Sequence, residues 1–89
     1  MIYKKVTIIN KLGLHARAAA KFVHLSNRFS ASVKIEKDGN QVDGKSILGI
    51  LTLAAVQGSE ITLVLSGRDQ KEALEALVAL IKNRFTEEE

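Results

Sequence analysis

The spacing of apolar and polar positions changes several times along this 89-residue chain, and each change marks an element. Residues 2–9 are rich in Ile, Val and Thr, and Val6 and Ile8 lie two apart, the spacing of a half-buried strand. Ala16, Ala19, Ala20, Phe22 and Val23 then recur at helical spacing, which predicts a helix over residues 16 to about 27. Alternation returns in Ser32–Lys37, with Val33 and Ile35 inward. Asp38-Gly39 reads as a hairpin turn into a short strand, Asn40–Asp43, that Gly44 ends. Ser46 reads as the cap of a short helix over residues 47 to about 53. After a turn at Gln57-Gly58-Ser59, Glu60–Ser66 places Ile61, Leu63 and Leu65 on one face and Thr62 and Val64 on the other. In the last helix Asp69 is the cap, Glu72 completes a capping box, and Leu74, Leu77, Leu80 and Ile81 line one face to about Phe85. Glu87-Glu88-Glu89 follows, where negative charge opposes a helix dipole, so the tail is expected to fray.

The order β-α-β-β-α-β-α predicts an α+β fold, an open-faced β-sandwich. In it a four-stranded antiparallel sheet is covered on one face by three helices. Strands 1 and 2 flank a helix and should run parallel without touching, with strand 4 inserted between them and antiparallel to both. A hydrophobic content of 46% in 89 residues allows one domain over residues 1–89, burying roughly 60–65% of the unfolded surface.

Composition narrows the chemistry. With no cysteine there is no disulfide or thiolate metal site, and two histidines without a carboxylate cluster argue against a metal; no cofactor is expected. No apolar run approaches the roughly 20 residues of a membrane span, so membrane insertion is not expected. The start, Met1-Ile2-Tyr3-Lys4-Lys5, lacks a signal-peptide pattern, and a cytoplasmic protein is expected. A net charge of +3 spread among mixed signs suits acidic partners but does not make a nucleic-acid binder. The aromatics are Tyr3, Phe22, Phe29 and Phe85, with no pair on a strand to stack bases, which counts against an RNA-binding domain.

The most informative stretch is Gly13-Leu14-His15-Ala16-Arg17. His15 falls where a helix begins, and the first N–H groups of a helix have no partner within it. Their partial positive charge, with Arg17 beside them, makes a ready anion site. A neutral imidazole there offers a lone pair to phosphorus, and phosphoryl transfer depends mostly on positioning and charge stabilisation. The expected cradle is the backbone of Ala16, Arg17 and Ala18, with Arg17 able to reach an anion through two parallel hydrogen bonds. The competing reading is a loop or cap histidine with no chemistry.

Ser46 has a structural role whatever else it does, since a capping serine contributes about 1 kcal/mol. The helix it caps carries Ile47, Leu48, Ile50, Leu51 and Leu53, more apolar surface than one stripe needs. Some of it should face solvent and mark a partner site. If Ile47, Leu48 and Leu51 lie beside His15 they form a docking ring; the alternative is a helix buried on both sides. Lys21, His24, Asn27 and Arg28 on the outer side of the first helix would add a polar and basic rim, with Ala20 also on the partner surface. His24 reads as a solvated helix residue, not a second acceptor.

Leu12-Gly13-Leu14-His15-Ala16-Arg17 with Ala19-Ala20-Lys21-Phe22-Val23 resembles the active-site signature of the histidine-containing phosphocarrier family, HPr, of the bacterial phosphotransferase system. A second motif, Asp43-Gly44-Lys45-Ser46-Ile47-Leu48-Gly49-Ile50-Leu51, resembles the family's regulatory-serine region. Asn10-Lys11-Leu12-Gly13-Leu14 and Ala76-Leu77-Val78-Ala79-Leu80-Ile81 resemble the nitrogen-related branch, NPr, as much as the sugar branch.

The resemblance implies a carrier, not an enzyme. His15 would accept a phosphoryl group at Nδ1 from phosphorylated enzyme I, steadied by Arg17, and pass it to an enzyme IIA-type domain. Ser46 would be a target of HPr kinase/phosphorylase where that kinase exists, and a carrier whose reactive face must stay free is expected to be a monomer. One departure stands out: the family usually has proline after the arginine, and this chain has Ala18, which adds an N–H donor. The alternative from another class is a small regulatory or ligand-binding α/β module, since fold alone does not give function.

Overall fold

The computed structural model describes residues 1–86. Its elements are β1 (Ile2–Thr7), α1 (Ala16–Ser26), β2 (Ser32–Lys37), β3 (Asn40–Asp43), α2 (Ile47–Thr52), β4 (Glu60–Ser66) and α3 (Gln70–Lys82), followed by one turn at Arg84–Thr86. The sheet order is β1-β4-β2-β3 with every neighbouring pair antiparallel. β4 therefore lies between β1 and β2, which run parallel without touching.

The three helices cover one sheet face, and period-2 alternation decides which strand residues they meet. Val33, Ile35, Ile61, Leu63 and Leu65 are buried beneath them together with Val6. On the open face Val64 is also buried, at 8% exposure, because β4 is a central strand and Tyr3 and Lys34 stand opposite it on either side.

Two boundaries and one helix face differ from the sequence expectation. β1 stops at Thr7, yet Ile8 is fully buried and continues the pairing into the 58–59 turn, its N–H donating to the Ser59 carbonyl (2.8 Å) and its carbonyl accepting from Gly58 (2.7 Å). α1 buries Ala18, Ala19, Phe22, Val23 and Ser26, while Ala16 and Ala20 are exposed. α3 ends at Lys82, and its fully buried line is Ala73, Leu77 and Ile81, with Leu74 and Leu80 only partly covered. The early stop has a cause in the core. Phe85 is completely buried, and the chain reaches that position through a left-handed turn that a continuing helix would not make.

The expected capping box at α3 does not form. Asp69 occupies the N-cap position without a side-chain cap bond. Its carboxylate instead accepts from the backbone N–H groups of Ser30 (2.9 Å) and Ala31 (2.8 Å), fastening the α1–β2 connection to the start of α3. The Ser30 amide foremost, with Ala31 behind it and burial opposing, holds the Asp69 carboxyl below its ordinary value. The expectation for Glu87–Glu89 lies outside the described residues.

Candidate functional site

His15 is the N-cap of α1. Its backbone is extended (φ −76°, ψ 178°), its carbonyl accepts the first helical bond from Ala19 (2.8 Å), and its ring makes no side-chain cap bond. The side chain is half-buried. The N–H groups of Ala16, Arg17 and Ala18 therefore open the helix with no acceptor inside it. Ala16 and Arg17 are exposed; the methyl group of Ala18 is fully buried, so Ala18 faces the site only through its backbone.

The loop that delivers His15 is held from outside. Asn10, fully buried, donates from Nδ2 to the Gly13 carbonyl (2.8 Å), and the Gly13 N–H donates back to the Asn10 carbonyl (3.1 Å). Leu14 N–H donates to the Ala55 carbonyl (2.8 Å), and the Gln57 amide donates to the Ile9 carbonyl (3.1 Å). Gly13 adopts φ 67°, and a Cβ there would lie 2.5 Å from the Ala55 oxygen and 2.9 Å from Val56 Cα. Only glycine fits both the backbone and the close approach. Asn10 and the 54–57 segment are positioning elements that the pattern of apolar residues did not reveal. The available signal was an asparagine entering a tight glycine loop.

The second predicted centre is built the opposite way. Ser46 caps α2, its Oγ accepting from Gly49 N–H (3.0 Å), while its own N–H donates to the Asp43 carbonyl (3.1 Å). A Cβ at Gly49 would come within 3.2 Å of that hydroxyl, so glycine keeps the space beside it clear. Of the predicted docking ring, Leu48 is 77% and Ile47 40% exposed, while Leu51 is half-buried against the core and Ile50 is fully inward. α2 packs against α1. Leu12 (66% exposed) and Val56 (65%) add apolar surface on the two loops that brace the site, and neither was expected on the partner surface from the sequence.

Along the outer face of α1, Arg17, Lys21, His24 and Arg28 line an open groove of about 490 Å³ whose floor includes Ala20 and Leu80. The groove brings together three of the residues expected to form the rim, Lys21, His24 and Arg28, with Ala20 of the expected partner surface. Lys21, however, is half-buried and turned toward the C-terminal segment, its Nζ donating to the Phe85 carbonyl and to Thr86 Oγ1 (both 2.6 Å). Asn27 is exposed at the end of the same helix. No helix among the described residues is long and apolar enough to cross a membrane.

The structure is thus an open-faced sandwich with an imidazole at the start of α1 and a groove bordered by Arg17, Lys21, His24 and Arg28 alongside. The chain belongs to the HPr family: the family model described as "PTS HPr component phosphorylation site" matches residues 2–83. It is a phosphocarrier of the phosphotransferase system, a protein that bears the group and not a catalyst. The phosphocarrier protein HPr of Cupriavidus necator is 54% identical over 89 residues, covering all of both chains. The HPr-like protein Crh of Bacillus subtilis is 48% identical over 92% of this chain and 96% of its own. Among solved structures, HPr of Thermoanaerobacter tengcongensis superposes with a TM-score of 0.96 at 45% identity over the full length of both chains. A second structure from that organism is an HPr dimer, and one of Crh is described as a domain-swapped dimer.

Proposed function

We propose that His15 is the phosphoryl acceptor. The observation that carries this is its place as the N-cap of α1, with an extended backbone and no side-chain cap bond, and with Arg17 exposed in the first turn. The Nδ1 lone pair attacks phosphorus on phosphorylated enzyme I. A P–N bond forms to His15 as the donor's bond to phosphorus breaks, its electron pair leaving with the donor. The ring keeps its proton on Nε2, so the bound group is a phosphoimidazolium. The amides of residues 16–18 and the Arg17 guanidinium take up the charge on the phosphoryl oxygens. Transfer to a histidine of an enzyme IIA-type domain is the same displacement in the other direction. Ala20, Lys21, His24, Ile47, Leu48 and Leu51 form the partner surface, and the protein works in the cytoplasm as a monomer.

Incubation with enzyme I and phosphoenolpyruvate tests this. An acid-labile, base-stable phosphate should appear, and should vanish in His15→Ala. Absence of label with a cognate enzyme I would favour the regulatory-module reading.

Ser46 carries a second role on this reading. Its half-exposed hydroxyl stands immediately before the exposed Ile47 and Leu48, so a phosphate there would set about two negative charges on the docking face. Mass spectrometry after incubation with ATP and an HPr kinase/phosphorylase should find one added phosphate, absent in Ser46→Ala. An unmodified Ser46 under those conditions would remove this role.

A further inference from the structure

β1 closes the sheet on one side, with β4 as its single neighbour. Just beyond it, the N–H and C=O of Ile8 both pair with the 58–59 turn that leads into β4. Backbone groups alternate in direction along a strand, so Ile2, Lys4 and Val6 also turn theirs to β4, whereas Tyr3, Lys5 and Thr7 turn theirs away from it. Among the described residues no hydrogen bond reaches that outer row. A cleft runs beside it, between β1 and α3. Lys4, Lys5, Thr7, Ile9, Val78 and Lys82 border one part of about 390 Å³. A second part of about 390 Å³ shares Lys4, Val78 and Lys82 and adds Leu74 and Glu75. Ile9, Leu74 and Val78 are half-buried and give the cleft an apolar floor. Lys4, Lys5 and Lys82 stand exposed around it, none of them ion-paired among the described residues, against the one carboxylate of Glu75. α3 separates this cleft from the α1 groove, Val78 lining the one and Leu80 the other.

We propose that the outer edge of β1 takes up an extended acidic segment of a protein partner as a further strand of the sheet. Strand addition draws its affinity from backbone hydrogen bonds and its specificity from alternate side chains. Here Tyr3, Lys5 and Thr7 supply the backbone row, the apolar floor receives the side chains turned toward α3, and carboxylates meet Lys4, Lys5 and Lys82. Lysines on an edge strand ordinarily keep it from pairing with its own kind. Two β1 edges side by side would set Lys4 and Lys5 of one copy against those of the other, so charge disfavours a second copy and favours an acidic strand. No residue of α1 lines the cleft, so a strand seated there leaves His15 and the α1 groove uncovered, and the contact is independent of the phosphoryl chemistry.

The probe is a capped peptide of alternating glutamate and valine, cut to the length of β1 and titrated into the full chain. Amide NMR and hydrogen exchange read the result. The amides of Tyr3, Lys5 and Thr7 should gain protection, while those of Lys4 and Val6, already bonded to β4, should keep the protection they have. Lys4→Gln/Lys5→Gln alters two exposed positions and should weaken binding about fivefold with the fold intact. The same peptide N-methylated along its length keeps its charge but cannot donate backbone hydrogen bonds, and should confer no protection. Protection without the alternate pattern, or equal binding by the N-methylated peptide, would reduce the contact to charge and overturn the proposal. So would unchanged affinity in the lysine variant, or shifts confined to Arg17, His24 and Arg28, which would place the peptide in the other groove.

Discussion

The starts of α1 and α2 solve the same problem in opposite ways. Both helices leave backbone N–H groups without partners in their first turn. At α2 the residue in the cap position closes the gap itself, Ser46 Oγ accepting from Gly49. At α1 the cap residue is His15, whose side chain makes no cap bond. A capped start stabilises itself locally, whereas an open one must be braced from elsewhere. That bracing is the Asn10–Gly13 pair and the backbone of Ala55 and Val56 packed against it. Readiness for an anion and local stability are thus divided between different residues at α1 and combined in one at α2.

The largest break in this comparison should come from Gly13→Val. A β-branched residue at φ 67° with a Cβ 2.5 Å from the Ala55 oxygen should cost about 2–4 kcal/mol in urea unfolding and slow transfer to His15 as the loop shifts. Ser46→Ala should cost about 1 kcal/mol of stability and leave acceptance from enzyme I within about twofold, because the α2 cap does not brace the α1 start. A large transfer defect in that variant would show that the two starts are coupled.

A smaller, pH-dependent effect should come from Asp69, which clamps the α1–β2 connection and so the far end of the helix that His15 begins. Its carboxyl is held below the ordinary value, so its contribution is fully present above the unfolded pKa and is lost as pH falls through the folded one. Acid titrations of urea midpoints should therefore slope less below about pH 4 in Asp69→Asn than in the unaltered protein. The smallest effect on stability is expected for Ala18→Pro, because a first-turn N–H is not needed by the helix; it does remove one of the three amides assigned to the phosphoryl group, so transfer should slow but stay within about tenfold, or 1.4 kcal/mol of barrier.

The elements were legible in the sequence because their periods are clean: β4 alternates without a break, and Ser46 announces its helix by residue type alone. The helix faces were less legible where alanine carries the packing. Ala18 and Ala73 are fully buried while Ala16 and Ala20 are exposed, and hydrophobicity cannot separate them. Asp69 has the residue type of a cap, but its carboxylate is taken by two amides nearly 40 positions away, a tertiary contact that no local pattern encodes. Position 15 stood out because a histidine at a helix start is chemically unusual. Its supports did not, since Asn10 acts through burial and the 54–57 segment through backbone shape. Lys21 shows the same limit: its charge suggested a solvent-facing rim, and its reach carries it to the C-terminal turn.

The account turns on first-turn amides that hold a phosphoryl group on one imidazole. Phosphorylation followed by amide proton NMR reads this directly. With one phosphate on His15, the amide protons of Ala16, Arg17 and Ala18 should move strongly downfield while that of Gly49, bonded to Ser46, stays in place. A phosphorylated protein in which those three amides do not move, or in which the label is carried by another residue, would contradict it.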